Sequence, residues 1–503
     1  MMARESSAKE VVMAAQEALE KIPEHMQTDP HSEERVEYQH EVLSPLSQII
    51  RLLSLYSLCK HLLNPNHSRE YDRVYIFFSA IPRIQSRRRM PSDVLSPIFS
   101  ELGSVISQVG HTSATIDGHT LAFSASQAVM AIYEWVKSVT NNDITERSRT
   151  VDVLCSFLNS LLETCPNEFR ADLAERAFRS NFPRLVTPSR GEGASTVESD
   201  DPVLAIWAAL AALGLTSDTL ETRPSLSSLI LLAHSPSYCF SIHILTSFFP
   251  IILMCIQTNI ALDEVLSLLI NTIVPLAVQS PRPDVPLDLI VPLVHVLPPL
   301  ASVHTEPSTR HQTFRLLAAV LSLAPSPMRL QLLHDILTDT DSSPHMRVAA
   351  VGLVKEAVLE ALAVLAASSE RNGNVFASPL LLRTIGPIIF RPEPHDLFTS
   401  GQALSSEEFL DTAEPLRLVE CLALYYILLL RDVQNRTGVR DDDNVRHVEK
   451  TFLGPLRQQL RAWDEASHEV TQHGEESTMQ LAILDMWLDR VSDAARSIRM
   501  DKA

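Results

Sequence analysis

Glycine is scarce in this chain, with 13 among 503 residues, well under the usual share of about 7%. Sheet-rich folds place glycine at turns and bulges, and phosphate-cradling loops need its bare backbone. Its scarcity argues against both and leaves helices joined by other breakers. The six cysteines include no Cys-x-x-Cys, and the nearest two are Cys155 and Cys165. Neither a zinc site nor a dithiol redox centre is signalled. No two of the 18 histidines stand three or four residues apart, the spacing that places two imidazoles on one helical face. No Gly-x-Ser-x-Gly elbow occurs, and Gly191-Glu192-Gly193 precedes no phosphate-loop lysine. Asp441, Asp442 and Asp443 are adjacent on one polar stretch, so they cannot flank a substrate and read as an exposed helix start. The expectation is a chain with no catalytic, cofactor-binding or metal-binding residues, not an enzyme.

Long apolar runs are missing as well. The greasiest stretch, 242–256, is interrupted by Pro250, whereas a bilayer needs about 20 apolar residues. The first residues, Met1-Met2-Ala3-Arg4-Glu5, lead into a polar, charged segment unlike a signal peptide. The expectation is no membrane insertion and a cytoplasmic location. The acceptor pattern Asn435-Arg436-Thr437 has no bearing there. Basic charge is in deficit, with 42 Lys+Arg against 61 Asp+Glu and a net of -19. Such a surface repels a phosphate backbone, so nucleic acid is excluded as main partner. One basic cluster, Arg83 with Arg87, Arg88 and Arg89, reads as a solvated helix end, with a nuclear-import tag as its alternative.

What is present is proline, 31 in all. Ser44-Pro45, Ser96-Pro97, Asp201-Pro202, Ser343-Pro344, Ser378-Pro379 and Glu414-Pro415 each stand before an apolar run. Proline suits the first helical position because its missing N–H has no partner there anyway, and a preceding Ser or Asp can cap. These dipeptides predict a row of helix starts. Helix-period patterning recurs almost throughout: Leu481, Leu484, Leu488 and Val491 share a stripe with Ile498 beyond, behind a predicted capping box at Ser477 and Gln480. Residues 203–215, 316–323 and 416–430 are apolar nearly all round, which predicts helices covered on both sides. Polar-edged and buried helices in alternation predict an all-α fold, an irregular HEAT- or armadillo-like α-solenoid of stacked helical hairpins. No fixed repeat consensus is present. The segment 345–356, His-Met-Arg-Val-Ala-Ala-Val-Gly-Leu-Val-Lys-Glu, reads as the second helix of a HEAT-type unit.

The predicted organisation is N-terminal helical repeats over 1–186, a Ser/Gly/Glu-rich linker or loop over 187–201, and C-terminal HEAT-like repeats over 202–503. Residues 391–408 form a second irregular stretch closed by a capping box at Ser405 and Glu408, and 281–299 predict short buried helices. Residues 71–78 have strand propensity in a helical neighbourhood and are read as helix. Cys255 and Cys421 lie in apolar runs and read as inert core residues, whereas Cys59 and Cys165 flank polar residues and are the candidates for exposure.

An ordered set of segments runs through the C-terminal third. It starts with Pro344-His345-Met346-Arg347-Val348-Ala349-Ala350-Val351-Gly352-Leu353-Val354-Lys355, then Ser378-Pro379-Leu380 and Pro392-Glu393-Pro394. It continues with Glu420-Cys421-Leu422-Ala423-Leu424-Tyr425-Tyr426, the turn Asn435-Arg436-Thr437-Gly438-Val439, and Phe452-Leu453-Gly454-Pro455-Leu456. On these segments the chain resembles the family that joins glomulin with the fungal Yap-binding proteins. The resemblance implies a HEAT-like helical fold without enzymatic activity and one of two roles. One is an adaptor that helps a peroxide-responsive transcription factor become oxidised. The other is a regulator that covers the RING subunit of a cullin ubiquitin ligase. A trafficking solenoid binding basic cargo through acidic faces is a further alternative.

The partners expected are therefore proteins, with the oligomeric state left open. The family-like motifs and the polar loops between apolar helices coincide, and loops on a rigid scaffold are where recognition usually sits. The expected protein-binding residues are Arg391, Phe398, Asn435, Arg436, Thr437, Gly438, Arg440, Asp441, Asp442 and Asp443. Gly438 is expected to take the left-handed conformation, with Asn435 bonding loose backbone groups nearby.

Overall fold

The computed structural model describes residues 90–502, apart from 94, 98, 101–102, 104–114, 141–142, 170, 186–201, 236–237, 368–372, 394–396, 399–404 and 468–474. The expected linker at 187–201, the helix at 71–78, the basic cluster at 83–89 and Cys59 lie outside the described residues. Among the described residues all regular elements are helical and no strand occurs. Successive helices pack in neighbouring pairs, the arrangement of an all-α solenoid. No helix among the described residues is long and apolar enough to cross a membrane. The chain forms two compact units, Met1–Thr272 and Ile273–Ala503.

The first unit holds α1 (Thr115–Val139), α2 (Ile144–Thr164), α3 (Leu173–Asn181), α4 (Pro202–Ala212), α5 (Ser217–Thr222), α6 (Leu226–His234) and α7 (Ile242–Thr258), and α8 (Leu262–Val278) begins in it. Asp143 starts α2 by accepting the N–H groups of Thr145 and Glu146, both at 3.1 Å. The helix then buries Leu154, Phe157, Leu158, Leu161 and Leu162, one stripe at helical spacing. Two sharp bends are tied together. Asp263 accepts the N–H groups of Leu173 and Ala174 at 2.8 Å each, and Asn167 accepts the N–H of Ala261 at 2.9 Å. Asp172 and Ala261 both take positive φ, 52° and 48°, a conformation that needs such outside support.

The second unit holds α9 (Leu287–Val303), α10 (Pro307–Leu323), α11 (Ser326–Thr338), α12 (Pro344–Ala367), α13 (Pro379–Ile389), α14 (Ser406–Leu410), α15 (Glu414–Arg431), α16 (Asp442–Val448), α17 (Gly454–Ser467) and α18 (Glu475–Lys502). Here α9 pairs with α10, α11 with α12, and α15 lies between α12 and α18. That position explains its nearly unbroken apolar sequence: Leu418, Cys421, Leu422, Leu424, Tyr425, Leu428 and Leu429 are all buried. Each such side chain contributes roughly 1.5–3 kcal/mol. On α18, Leu484, Leu488, Val491 and Ile498 are buried while Asp485, Asp489 and Arg496 are exposed. The HEAT-type segment forms the start of α12, where Met346, Ala350, Val351, Leu353 and Val354 are buried.

Proline marks helix starts at Pro202, Pro344 and Pro379, and Pro415 follows Glu414 in the first turn of α15. Ser378 caps α13 by accepting the N–H of Leu380 at 3.3 Å. The capping box at Ser405 and Glu408 is formed at the start of α14. Three expectations need correction. The prolines at 281–299 do not divide that stretch into short helices: α9 runs as 17 residues through Pro292, Pro298 and Pro299. A proline inside a helix costs about 3 kcal/mol. Six buried aliphatic side chains from Leu289 to Leu300, at roughly 1.5–3 kcal/mol each, outweigh the three. By the same argument α7 continues through Pro250. Ser477 cannot cap α18, because the helix is already under way at Glu475. Cys165 is 2% exposed, because it sits where the turn Pro166–Phe169 folds back onto α1.

Candidate functional site

The site begins where α15 stops. Asp432, 1% exposed, follows the last residue of the helix and accepts three bonds: from the N–H of Arg436 at 2.8 Å, and from the N–H and hydroxyl of Thr437, both at 2.7 Å. These wind the chain into a tight turn in which Asn435 and Gly438 take positive φ, 52° and 78°. Asn435 completes the turn: its side-chain oxygen accepts the N–H of Arg440 at 2.8 Å and its amide donates to Asp441 at 2.7 Å. A Cβ on Gly438 would stand 3.1 Å from Asp441 Oδ2, so geometry and space both favour glycine there.

Arg440 reaches back to α15. Its guanidinium donates to the Leu429 carbonyl, from Nε at 2.9 Å, and to that of Leu430 at 3.3 Å. A cation on the loose carbonyls at a helix C-terminus is favourable on both hydrogen-bond and dipole grounds. Thr437 is buried, 1% exposed. Of the residues expected to bind a partner here, Asn435, Thr437, Gly438 and Arg440 therefore build the turn itself. Arg436, Asp442 and Asp443 are exposed, with Arg436 donating to Gln434 at 3.0 Å and Arg446 lying 3.3 Å from Asp443.

From Glu449 the chain continues without a break through a π turn, Glu449–Leu453, into α17. The Gly454 N–H bonds the Glu449 carbonyl five residues back. A Cβ at Gly454 would meet that oxygen at 2.9 Å, so the wide turn depends on glycine. Such turns recur beside functional sites.

Of the two other expected residues, Arg391 arrives from the end of α13. A buried ion pair fixes its backbone. Arg417 donates bidentately to Glu414, from Nε at 2.6 Å and Nη2 at 2.7 Å, and also to the Arg391 carbonyl at 2.6 Å. Glu414 in turn accepts the N–H of Glu393 at 2.9 Å, and Glu393 pairs with Arg347. Sequence reasoning missed this network, although a lone arginine in the apolar run of α15 is a usable signal. The Arg391 side chain stays exposed. Phe398 goes elsewhere: its ring lies 6.3 Å from Phe409 and 6.4 Å from Trp463.

Arg391 and the turn meet at an open cleft of ≈ 150 Å³. Its apolar walls include Leu382, Pro387 and Phe390 of the α13 region, together with Val439 and Val448. Its polar residues are Arg391, Asn444, His447 and Tyr425. Tyr425 is 1% exposed, and its hydroxyl has no hydrogen-bond partner among the described residues. Burial raises that hydroxyl well above its ordinary pKa, with Glu449 adding to the effect, so it is a donor. Tyr425 and His447 were not singled out in the sequence. Tyr425 lies in an apolar run, and His447 has no partner histidine.

Cys165 is buried like Cys255 and Cys421, and Cys155 is half-buried. Burial pushes Cys255 and Cys421 up to about 12 and Cys155 up to about 11. A thiol that holds its proton is a poor nucleophile and metal ligand. Cys239 is exposed. No group of three or more His, Cys, Asp or Glu that could hold a metal occurs among the described residues.

Comparison with known protein families gives a match. The family model Kinetochor_Ybp2, described as an uncharacterised protein family, YAP/Alf4/glomulin, matches residues 229–487, more than half of the chain. That span contains the turn, the ion pair and the cleft. No curated protein matches.

Proposed function

We propose, because the chain belongs to the YAP/Alf4/glomulin family, that it acts as a non-catalytic adaptor which binds other proteins through the C-terminal unit. The observation that carries this reading is the cleft and its rim. A buried ion pair and a fully bonded turn hold side chains there that have no structural task. Rigidly held loops of this kind suit recognition, since little ordering entropy is lost on binding.

Within that role, the reading is an adaptor in the oxidative-stress response acting on a redox-regulated transcription factor. Regulation of a cullin-RING ubiquitin ligase through the C-terminal repeats is the second reading. The shielding of Cys155, Cys255 and Cys421 favours an adaptor that positions its partner over one that exchanges disulfides through these thiols. The expected setting is the cytoplasm, with access to the nucleus.

The test is affinity purification from native cells with and without peroxide. Recovery of a bZIP factor supports the first reading and recovery of a cullin–RING complex the second. Transport machinery would point instead to a trafficking solenoid. A variant reversing Arg391, Arg436 and Asp443 should lose the partner while one reversing Arg87, Arg88 and Arg89 keeps it. Arg440 is left intact because it caps α15. The opposite outcome would move the binding surface out of the C-terminal unit.

A further inference from the structure

We propose that the cleft between α13, α15 and α16 takes a short peptide segment of a partner protein, in which an apolar side chain is flanked by carboxylates. This rests on the adaptor reading and adds the chemistry of what is recognised. In a chain of net charge -19, no carboxylate among the described residues lines this cleft. Its ionisable residues are Arg391, His447 and Tyr425. Among the described residues the Arg391 and His447 side chains have no bonded partner, and the Tyr425 hydroxyl has none either. Three groups able to donate, none of them bonded to a described carboxylate, form the complement of a carboxylate.

The remaining groups restrict the ligand further. Asn444 gives its amide to the Gly438 carbonyl at 2.8 Å, which fixes its orientation and leaves its oxygen to accept a peptide N–H. Leu382, Pro387, Phe390 and Val448 supply apolar walls, which a free inorganic anion would leave exposed to water. The ≈ 150 Å³ of space holds about one apolar side chain, not a folded domain. An apolar anchor with acidic neighbours satisfies walls and rim together.

The experiment uses the full-length chain and fluorescence anisotropy. The probes are a labelled decapeptide carrying one Leu-Phe pair between glutamates, its lysine-flanked twin, and a glutamate-flanked version with alanines for the pair. The first should bind saturably and each of the others about tenfold more weakly. Arg391→Glu should weaken the acidic peptide about tenfold and close the gap to the twin. The fold should survive, since Arg417 uses only the carbonyl of Arg391. Tyr425→Phe should weaken binding a few-fold without lowering the unfolding midpoint, because it deletes a buried hydroxyl that nothing in the fold uses. A structural hydroxyl would lower that midpoint. Equal binding of the two charge twins, or indifference to Arg391→Glu, overturns the proposal. So does a concentration-dependent dimer abolished by Arg391→Glu, which would seat a second copy in the cleft. If the peptide fails while cellular partner recovery still depends on Arg391, Arg436 and Asp443, the ligand assignment falls and the adaptor reading stands.

Discussion

The turn after α15 and the rim of the neighbouring cleft are both polar, and they use their polarity in opposite ways. In the turn Asp432, Asn435, Thr437 and Arg440 are bonded to one another or to the end of α15. At the cleft, Arg391 and His447 on the rim and the buried Tyr425 hydroxyl beneath them have no described partner. The contrast teaches that a polar residue type does not announce recognition. A hydrogen-bonding group already satisfied inside the chain holds the structure. One left unsatisfied on a rigid frame is available to another molecule.

The contrast can be broken or sharpened by mutation. The largest effect is expected beneath both regions, at the ion pair. Arg417→Ala leaves Glu414 buried without its bidentate partner and should cost about 3–5 kcal/mol, read as a lower urea midpoint. Next comes Asp432→Ala, which strands two backbone N–H groups and a buried hydroxyl. It should cost about 3 kcal/mol, with Asp432→Asn in between. An unchanged midpoint for Asp432→Ala would mean that water replaces the carboxylate and that the turn is not self-built. Gly438→Ala forces a side chain into left-handed backbone against Asp441 and should cost about 1–2 kcal/mol. The smallest stability effect belongs to the rim, where Arg391→Glu and His447→Gln should each stay within about 0.5 kcal/mol. A rim variant that destabilises as much as Gly438→Ala would erase the difference between the two regions.

Local chemistry is what the sequence exposes best. Pro202, Pro344 and Pro379 open helices because a missing N–H matters only within one turn. Ser405 and Glu408 bond each other across three residues for the same reason. The apolar run of α15 announces a helix covered on both sides, and α12 and α18 cover it. What escapes is whatever depends on packing. Pro250 and the three prolines of α9 sit inside helices because buried neighbours outweigh a lost bond. Cys165 is buried by a turn that folds back onto a distant helix. Arg391 and the turn at 435–443 are both expected to matter from the sequence, but the cleft beside them, with Asn444, His447 and Val448 in its lining, exists only once α13 and α15 lie together. Tyr425 looks like core in the sequence, and only the structure reveals that its hydroxyl lacks a partner.

The π turn at Glu449–Leu453 acts as a phase shifter. Val445 and Trp463 are 18 positions apart, which is five full turns at about 3.6 residues each, so a uniform α-helix would point them the same way. The surplus residue rotates the second half by about 100° against the first. Val448, before the π turn, lies on the cleft, while Trp463, beyond it, packs tilted against Phe409 with ring centroids 4.8 Å apart. One continuous helix serves two neighbours that lie in different directions. Gly454 sets the angle between them, since any side chain there would collide with the oxygen that closes the wide turn.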